Sequence, residues 1–292
     1  MVHFSGSTDI SSSPGSSPDC LVEKASALTP GVYIVGAGPG DPELLTLKAQ
    51  RLLSQADVVL YANSLVPPQV MAMVRPEAEC IGTANLTLEA IVPLMIERVR
   101  SQQSVVRLHS GDPSLYSAIH EQMRALAEAE VPFEVIPGIS AFQAAAAKLQ
   151  VELTVPALVQ TIILTRISGR TQVPPTEELA SLAAHRASLC LYLSARHAAA
   201  AQADLMAHYP AETPVAICYR VGWPDERIRV VPLSQMASAT QTENLIRTTL
   251  YLISPALSDE MSPPGLGNKT TRSQLYNPQH DHLFRPRAAT SK

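Results

Sequence analysis

One stretch limits the folds open to this chain more than any other: VYIVGAGPGDPELLTLKAQRLLSQADVVLYANSLV, residues 32 to 66. An apolar run, 32–35, meets three glycines in five residues, Gly36, Gly38 and Gly40. Asp41 and Pro42 follow, and then a helical pattern. A tight turn between a first strand and a first helix is how open α/β sheets begin, and their ligands sit at the carboxyl ends of the strands. The alternation continues downstream. Short apolar runs predict strands at 32–35, 58–61, 105–109, 133–136, 161–165, 188–193, 215–219, 227–231 and 249–253. Helical periodicity predicts helices at 43–54, 88–100, 116–129, 141–149, 176–184, 195–208 and 234–239. Strand and helix in alternation give the α/β class with mostly parallel strands. Beyond Asp225 two strands follow with little helix between them, which predicts an antiparallel edge. KLQVELTVPALVQ breaks the rhythm at Pro156 and separates an N-terminal α/β domain, 29–150, from a C-terminal one, 151–257.

Both ends fall outside this rhythm. Residues 1–28 are rich in Ser and Pro and read as a disordered extension. Residues 258–292 have no apolar period and read as a tail, although its LYNPQHDHLF segment has the residues to dock on a surface. The net charge of −4 supplies no general attraction to nucleic acid or to an anionic membrane. No apolar run reaches the ~18 residues of a membrane span, and the first residues lack the basic start and apolar stretch of a signal peptide. The four cysteines show no CxxC spacing, which suits thiols of a cytoplasmic chain better than a disulfide framework. No His, Cys or carboxylate cluster has the spacing of a metal site.

The glycine turn has three functional readings. A dinucleotide fold needs G-x-G-x-x-G, and here the third position is Asp41. A phosphate loop needs G-x-x-x-x-G-K-[ST], which is absent, and Asp41 and Glu43 would repel a phosphate. The third reading is a site for S-adenosylmethionine, a ligand without phosphate whose sulfonium is a cation. The ordinary nucleoside-methyltransferase fold expects an acid at the end of the second strand, where Leu60-Tyr61-Ala62-Asn63 stands instead. A bland reading stays beside these: the glycines only make a tight turn.

Two more strand–turn–helix units follow. VVRLHSGDPSLYSAIHEQM turns at Ser110-Gly111-Asp112-Pro113, and FEVIPGISAFQAAAA turns at Pro137-Gly138. With GAGPGDPELLTLKA, ADVVLYANSLV and PVAICYRVGWPDE, these segments resemble the tetrapyrrole methylase family, the methyltransferases of the sirohaem and cobalamin pathways. The resemblance spans residues 32 to 257. It implies two α/β lobes with a cofactor cleft between them, S-adenosylmethionine as cofactor, a tetrapyrrole substrate and a homodimer. Carried over by position, the cofactor contacts are Pro39, Ser110, Gly111, Asp112, Leu115, Ser140, Ala141, Leu193 and Val221. YANSLVP, LTVPALVQTIILTRISGR, LYLSARH, YRVGWPDER and LYNPQHDHLFRP resemble the branch that methylates C-11 of precorrin-4 or its cobalt form. The uroporphyrinogen-methylating branch has an acid where YANSLV stands and a lysine near Thr83. Neither is here, so that acid–base pair does not carry over and no catalytic base is assigned. Methylation of another ring position, C-2/C-7 or C-20, and non-catalytic carriage of a tetrapyrrole remain alternatives.

A tetrapyrrole carries acetate and propionate arms, and arginine forks suit carboxylates. Arg107, His109, Arg166, Arg170, Arg196, Arg220 and Arg227 lie in or beside the turns. Of these, His109, Arg166 and Arg220 are expected to contact substrate. The bland readings are a satisfied structural histidine at His109, a helix cap at Asp112, surface charges at the arginines and solvent exposure at His197.

Overall fold

The computed structural model describes residues 28–169 and 171–261 together with Asn277, Asp281 and Leu283. The expected N-terminal extension (except its last residue), Arg170, and all of the tail except 258–261 and these three positions lie outside the described residues.

Five strands form a fully parallel first sheet: β1 (Gly31–Gly36), β2 (Val58–Tyr61), β3 (Glu79–Gly82), β4 (Ser104–His109) and β5 (Phe133–Ile136), in the order β3-β2-β4-β1-β5. Helix α1 (Leu47–Leu53) sits over Val35, Val59, Val106 and Leu108 on one face, where α2 (Pro68–Met71) adds Val70. Helices α3 (Leu88–Arg100) and α4 (Ile119–Glu128) cover Val32, Ile34, Val58, Leu60 and Val105 on the other. A parallel sheet covered on both faces needs continuous apolar strands, which is why β1, β2 and β4 are legible. The edge strand β3, ECIG, exposes Glu79 and Cys80. Neither it nor α2, one turn long, was expected.

Five helix starts fall two to four residues later than expected, and at two of them the local reason is plain. A 3-10 turn at Pro42–Leu44 precedes α1, which begins only after Thr46 accepts a hydrogen bond from the Ala49 N–H at 3.1 Å. Helix α4 begins at Ile119 because Tyr116 and Ala118 hold left-handed backbone, φ 55° and 49°.

The second sheet comprises β6 (Ile162–Arg166), β7 (Ser188–Tyr192), β8 (Pro214–Tyr219), β9 (Arg227–Pro232) and β10 (Thr249–Ile253), ordered β6-β7-β10-β8-β9. The expected antiparallel edge is β9, paired with β8. The last strand corrects the expectation. β10 lies inside the sheet, antiparallel to both β7 and β8. All five of its residues are buried, as suits a strand paired on both sides. Helices α6 (Leu179–Ala183), α7 (Ala198–Met206) and α8 (Met236–Thr242) cover one face. The other face receives α5 (Ala141–Lys148), which follows β5 in the chain. Its Ala144 and Ala145 meet Cys190, Ala216, Cys218, Leu250 and Leu252. Small side chains on AFQAAAAK let this helix bridge the two lobes closely.

Candidate active site between the two lobes

Strands β1 and β4 are in register from Gly31 beside Ser104 to Gly36 beside His109, so their turns emerge together. The Gly38 N–H donates to the Gly111 carbonyl at 3.2 Å, and the Gly111 N–H to the Gly38 carbonyl at 2.7 Å. The turn after β5 closes on both. A Cβ at Gly36 would lie 2.6 Å from the Gly138 Cα and 2.7 Å from the Gly111 carbonyl oxygen. No side chain fits where three backbones touch. Gly40 meets the second lobe instead: a Cβ there would lie 2.4 Å from Trp223 Cδ1. The glycines of GAGPG therefore pack turn against turn, and Pro39 between them reaches the cleft.

Asp112 locks this cluster. Its carboxylate accepts from the Ser114 N–H at 2.8 Å, from the Ser114 hydroxyl, and from the Gly138 N–H at 2.8 Å. Burial works against its ionisation, but these hydrogen bonds outweigh burial and hold the carboxyl below its usual range. The cap reading of Asp112 does not hold: its carboxylate closes its own turn at Ser114 and ties in the turn at Gly138, while α4 starts only at Ile119 with no side-chain cap.

The strand ends of both lobes open on one cleft of about 1060 Å³. All nine residues carried over as cofactor contacts line it: Pro39, Ser110, Gly111, Asp112, Leu115, Ser140, Ala141, Leu193 and Val221. Tyr192 joins the lobes across its floor. Its hydroxyl pairs with Ser140 Oγ at 2.8 Å and accepts from the Phe142 N–H at 3.2 Å. Burial raises this phenol to about 12, so it is a neutral hydroxyl at pH 7. The rim is apolar. Leu193 is 66% exposed with φ 54°, and Leu65, Tyr116 and Ile246 are exposed beside the same cleft.

The residue pattern and the cleft have counterparts among known proteins. Residues 31–237 match the model of the Tetrapyrrole (Corrin/Porphyrin) Methylases. This chain belongs to the tetrapyrrole methylases. It is 44% identical over 255 residues to a precorrin-4 C(11)-methyltransferase of Pseudomonas aeruginosa, covering 87% of this chain and 98% of the relative. It is 42% identical to a cobalt-precorrin-4 C(11)-methyltransferase of Priestia megaterium, covering 87% and 97%. Among solved structures, a cobalt precorrin-4 methyltransferase superposes with a TM-score of 0.75 at 43% identity, covering 77% of this chain and 95% of that one. The uroporphyrin-III C-methyltransferase of Thermus thermophilus, in complex with S-adenosylhomocysteine, gives 0.65 at 30% identity, covering 78% and 93%.

The cleft of this tetrapyrrole methylase carries four arginines, Arg107, Arg166, Arg196 and Arg247. Asp112 is the one carboxylate among its described lining residues, and its oxygens are already engaged. His109 lines the cleft and is 7% exposed, with its Nε2 buried and unpartnered. Burial, and then the charge of Arg107, lower it to about 3, so the imidazole is neutral. It is not the satisfied structural histidine of the bland reading. His197 is exposed, as read, and lines the cleft too.

Two of the arginines beside the turns do not line the cleft, Arg220, which was expected to contact substrate, and Arg227. Arg220 takes left-handed backbone after β8, φ 48°, and turns away. It pairs with Asp225 at 2.7 Å and lies 4.7 Å from the Trp223 ring centre. Arg227 pairs with Glu243 at 3.4 Å and covers the Tyr219 ring. Arg247 was missed. It precedes β10, and only the interior, antiparallel placement of that strand brings its start to the carboxyl ends of its neighbours.

Proposed function

We propose that this tetrapyrrole methylase transfers the methyl group of S-adenosylmethionine to C-11 of precorrin-4 or cobalt-precorrin-4, a step of cobalamin biosynthesis. One observation carries the reading. A single cleft is lined by small residues and turn backbone, fit for an uncharged nucleoside and a sulfonium, and by four arginines, fit for a polycarboxylate. An apolar rim suits the flat ring between them. The relatives that share nearly its whole length, at 42–44% identity, are named for the C-11 reaction.

The residues fit the cofactor. Pro39, Ser110, Gly111, Asp112 and Leu115 would hold it from the first lobe, and Ser140, Ala141, Leu193 and Val221 would close over it. When bound, S-adenosylmethionine supplies an electrophilic methyl on a positive sulfur. The chain's task is alignment: the ring carbon must sit about 3 Å from that methyl and in line with it. Asp112 fixes the turn geometry, and the Tyr192–Ser140 contact fixes the distance between lobes. An electron-rich ring carbon needs no covalent enzyme intermediate, and we assign no base. His109 and Arg166 would face the substrate.

The test is incubation with precorrin-4 and with cobalt-precorrin-4, using a 13C-labelled methyl donor, followed by NMR mapping of the product. Label on C-11 is expected. Label on C-2, C-7 or C-20 would transfer the assignment to another ring position. Binding without S-adenosylhomocysteine formation would make the chain a carrier.

The reading extends to organisation. We propose folded units at 29–150 and 151–257, tied together by α5, with 1–28 and 258–292 as additions. Cytoplasmic residence is supported by Cys80 and Cys190, which remain thiols. Among the described residues no helix is long and apolar enough to cross a membrane. A homodimer is supported by edge strand β5, which leaves Phe133 and Val135 38% exposed. Sedimentation equilibrium tests it.

A further inference from the structure

Arg107 differs from every other cation of the cleft. It stands within β4, 7% exposed, held by ladder pairing to Ile34 on one side and Leu60 on the other. Its Nη1 donates to Thr83 Oγ1 at 3.0 Å, its Nε to Gln122 Oε1 at 3.3 Å, and Nη1 has a long contact to the Leu60 carbonyl at 3.5 Å. All three acceptors are neutral. Among the described residues no carboxylate forms an ion pair with Arg107, and its Nη2 has no hydrogen-bond partner. Burial weakens even its hold on its proton, to about 10.

A buried cation without an anion is costly, and proteins bury arginine where a carboxylate or phosphate completes it. The cleft's other arginines lack this tension. Arg166 gives Nη2 to the Thr171 and Gln172 carbonyls, each at 3.0 Å. Arg196 and Arg247 are exposed to water. Asp112, the nearby acid, is spent on Ser114 and Gly138. The methyl donor's sulfur is positive and its one anion is the methionyl carboxylate, which S-adenosylhomocysteine also carries, so titration with that ligand separates donor from substrate as the partner of Arg107.

We infer that Arg107 is the specificity anchor of the cleft, gripping one carboxylate arm of the substrate through its free Nη2. This rests on the proposed tetrapyrrole substrate. The arms of such a ring radiate from its edge, so holding one arm sets the rotation of the ring about its own axis. That rotation decides which ring carbon faces the methyl. An arginine on an interior strand suits this role, since the ladder on each side leaves its backbone nowhere to move. Arginines on loops can attract the polyanion but cannot index it. His109, two residues on and on the same strand face, adds no competing charge because it stays neutral. Its unpartnered Nε2 leaves it able to bond the same arm.

The experiment compares wild type with Arg107→Gln and Arg107→Lys, using cobalt-precorrin-4 as substrate. For Arg107→Gln, KM is expected to rise at least tenfold and the methylated product to lose positional purity. Arg107→Lys keeps the charge without the fork and should fall between the two. S-adenosylhomocysteine affinity, measured by titration without tetrapyrrole, should stay within twofold for both variants. The unliganded melting temperature of Arg107→Gln should equal or exceed that of wild type, because an uncompensated buried charge has been removed. A merely structural arginine would instead lower it. A KM within twofold of wild type would overturn the anchor, as would failure of Arg107→Gln to fold, for that would mean the charge is satisfied within the protein. If wild type itself methylates neither precorrin-4 nor its cobalt form, the substrate reading falls first; an active wild type with an indifferent Arg107→Gln sinks the anchor alone.

Discussion

His109 shows how much one side chain can report on its surroundings. An ordinary histidine gains a proton near pH 6.5, but this one stays neutral down to about 3, first through burial and then through the charge of Arg107. Between those values the unfolded chain binds one more proton than the folded one. The stability tied to this residue is therefore complete above pH 6.5 and is lost as pH falls toward 3. From pH 6.5 to 5 the linkage amounts to roughly 1.5 kcal/mol. The wild-type unfolding midpoint should fall over that window, and that of His109→Gln should fall less steeply; parallel slopes would show that His109 titrates normally. Gly111 makes a different prediction. Its φ of +67° disfavours any side chain, yet a Cβ would meet nothing nearer than the Ser140 Cα at 3.9 Å. Gly111→Ala should cost about 1 kcal/mol of stability through strain while still binding S-adenosylhomocysteine. Gly111→Arg should lose that binding by filling the cleft. Calorimetric titration of both variants separates strain from occlusion.

At the scale of elements, the loop from β8 to β9 acts as a latch. Trp223 seats against Gly40 of the first lobe, and Glu226 pairs with Lys148 of α5 at 3.5 Å while accepting from the Gly222 N–H at 2.6 Å. Arg220 props Trp223 from behind. Arg220→Gln should therefore lower the melting temperature, by an amount matching about 0.5–2 kcal/mol, and weaken cofactor and substrate binding together. Selective loss of substrate binding would restore the role first expected of it from sequence. That expectation failed because a strand end says where a residue emerges and not which way it turns. The same limit hid Arg247, whose position depends on β10 being interior. What was legible rested on burial. SVVRLH is covered on both faces and reads as a strand; ECIG, a half-polar edge, does not. The turns that line the cleft were legible because the resemblance rests on them as motifs, GAGPGD, SGDPSL and PGISA. The arginines form no such motif, and sequence alone cannot sort those that line the cleft, such as Arg166, from those that latch the lobes, such as Arg220.

At the scale of the molecule, every described residue of the cleft lies between Pro39 and Leu250, drawn from both lobes. Deleting residues 1–27 should therefore leave kcat and KM for methyl transfer within twofold, and a tenfold loss would mean that the Ser- and Pro-rich segment reaches the site. The two sheets also differ in when they can exist. The first is complete at Ile136: β3 adds to β2, β4 then joins that pair to β1, and β5 closes the far edge on β1. The second depends on β10, which joins the β6–β7 pair to the β8–β9 hairpin and leaves the ribosome last. At about 5–20 residues per second the nascent chain carries a finished lobe beside an open one for a time on the order of ten seconds. Once β7 and β8 have emerged, their facing edges have no partner until β10 follows, so chains cut short between residues 219 and 249 should be the ones that chaperones hold and that aggregate when none is present.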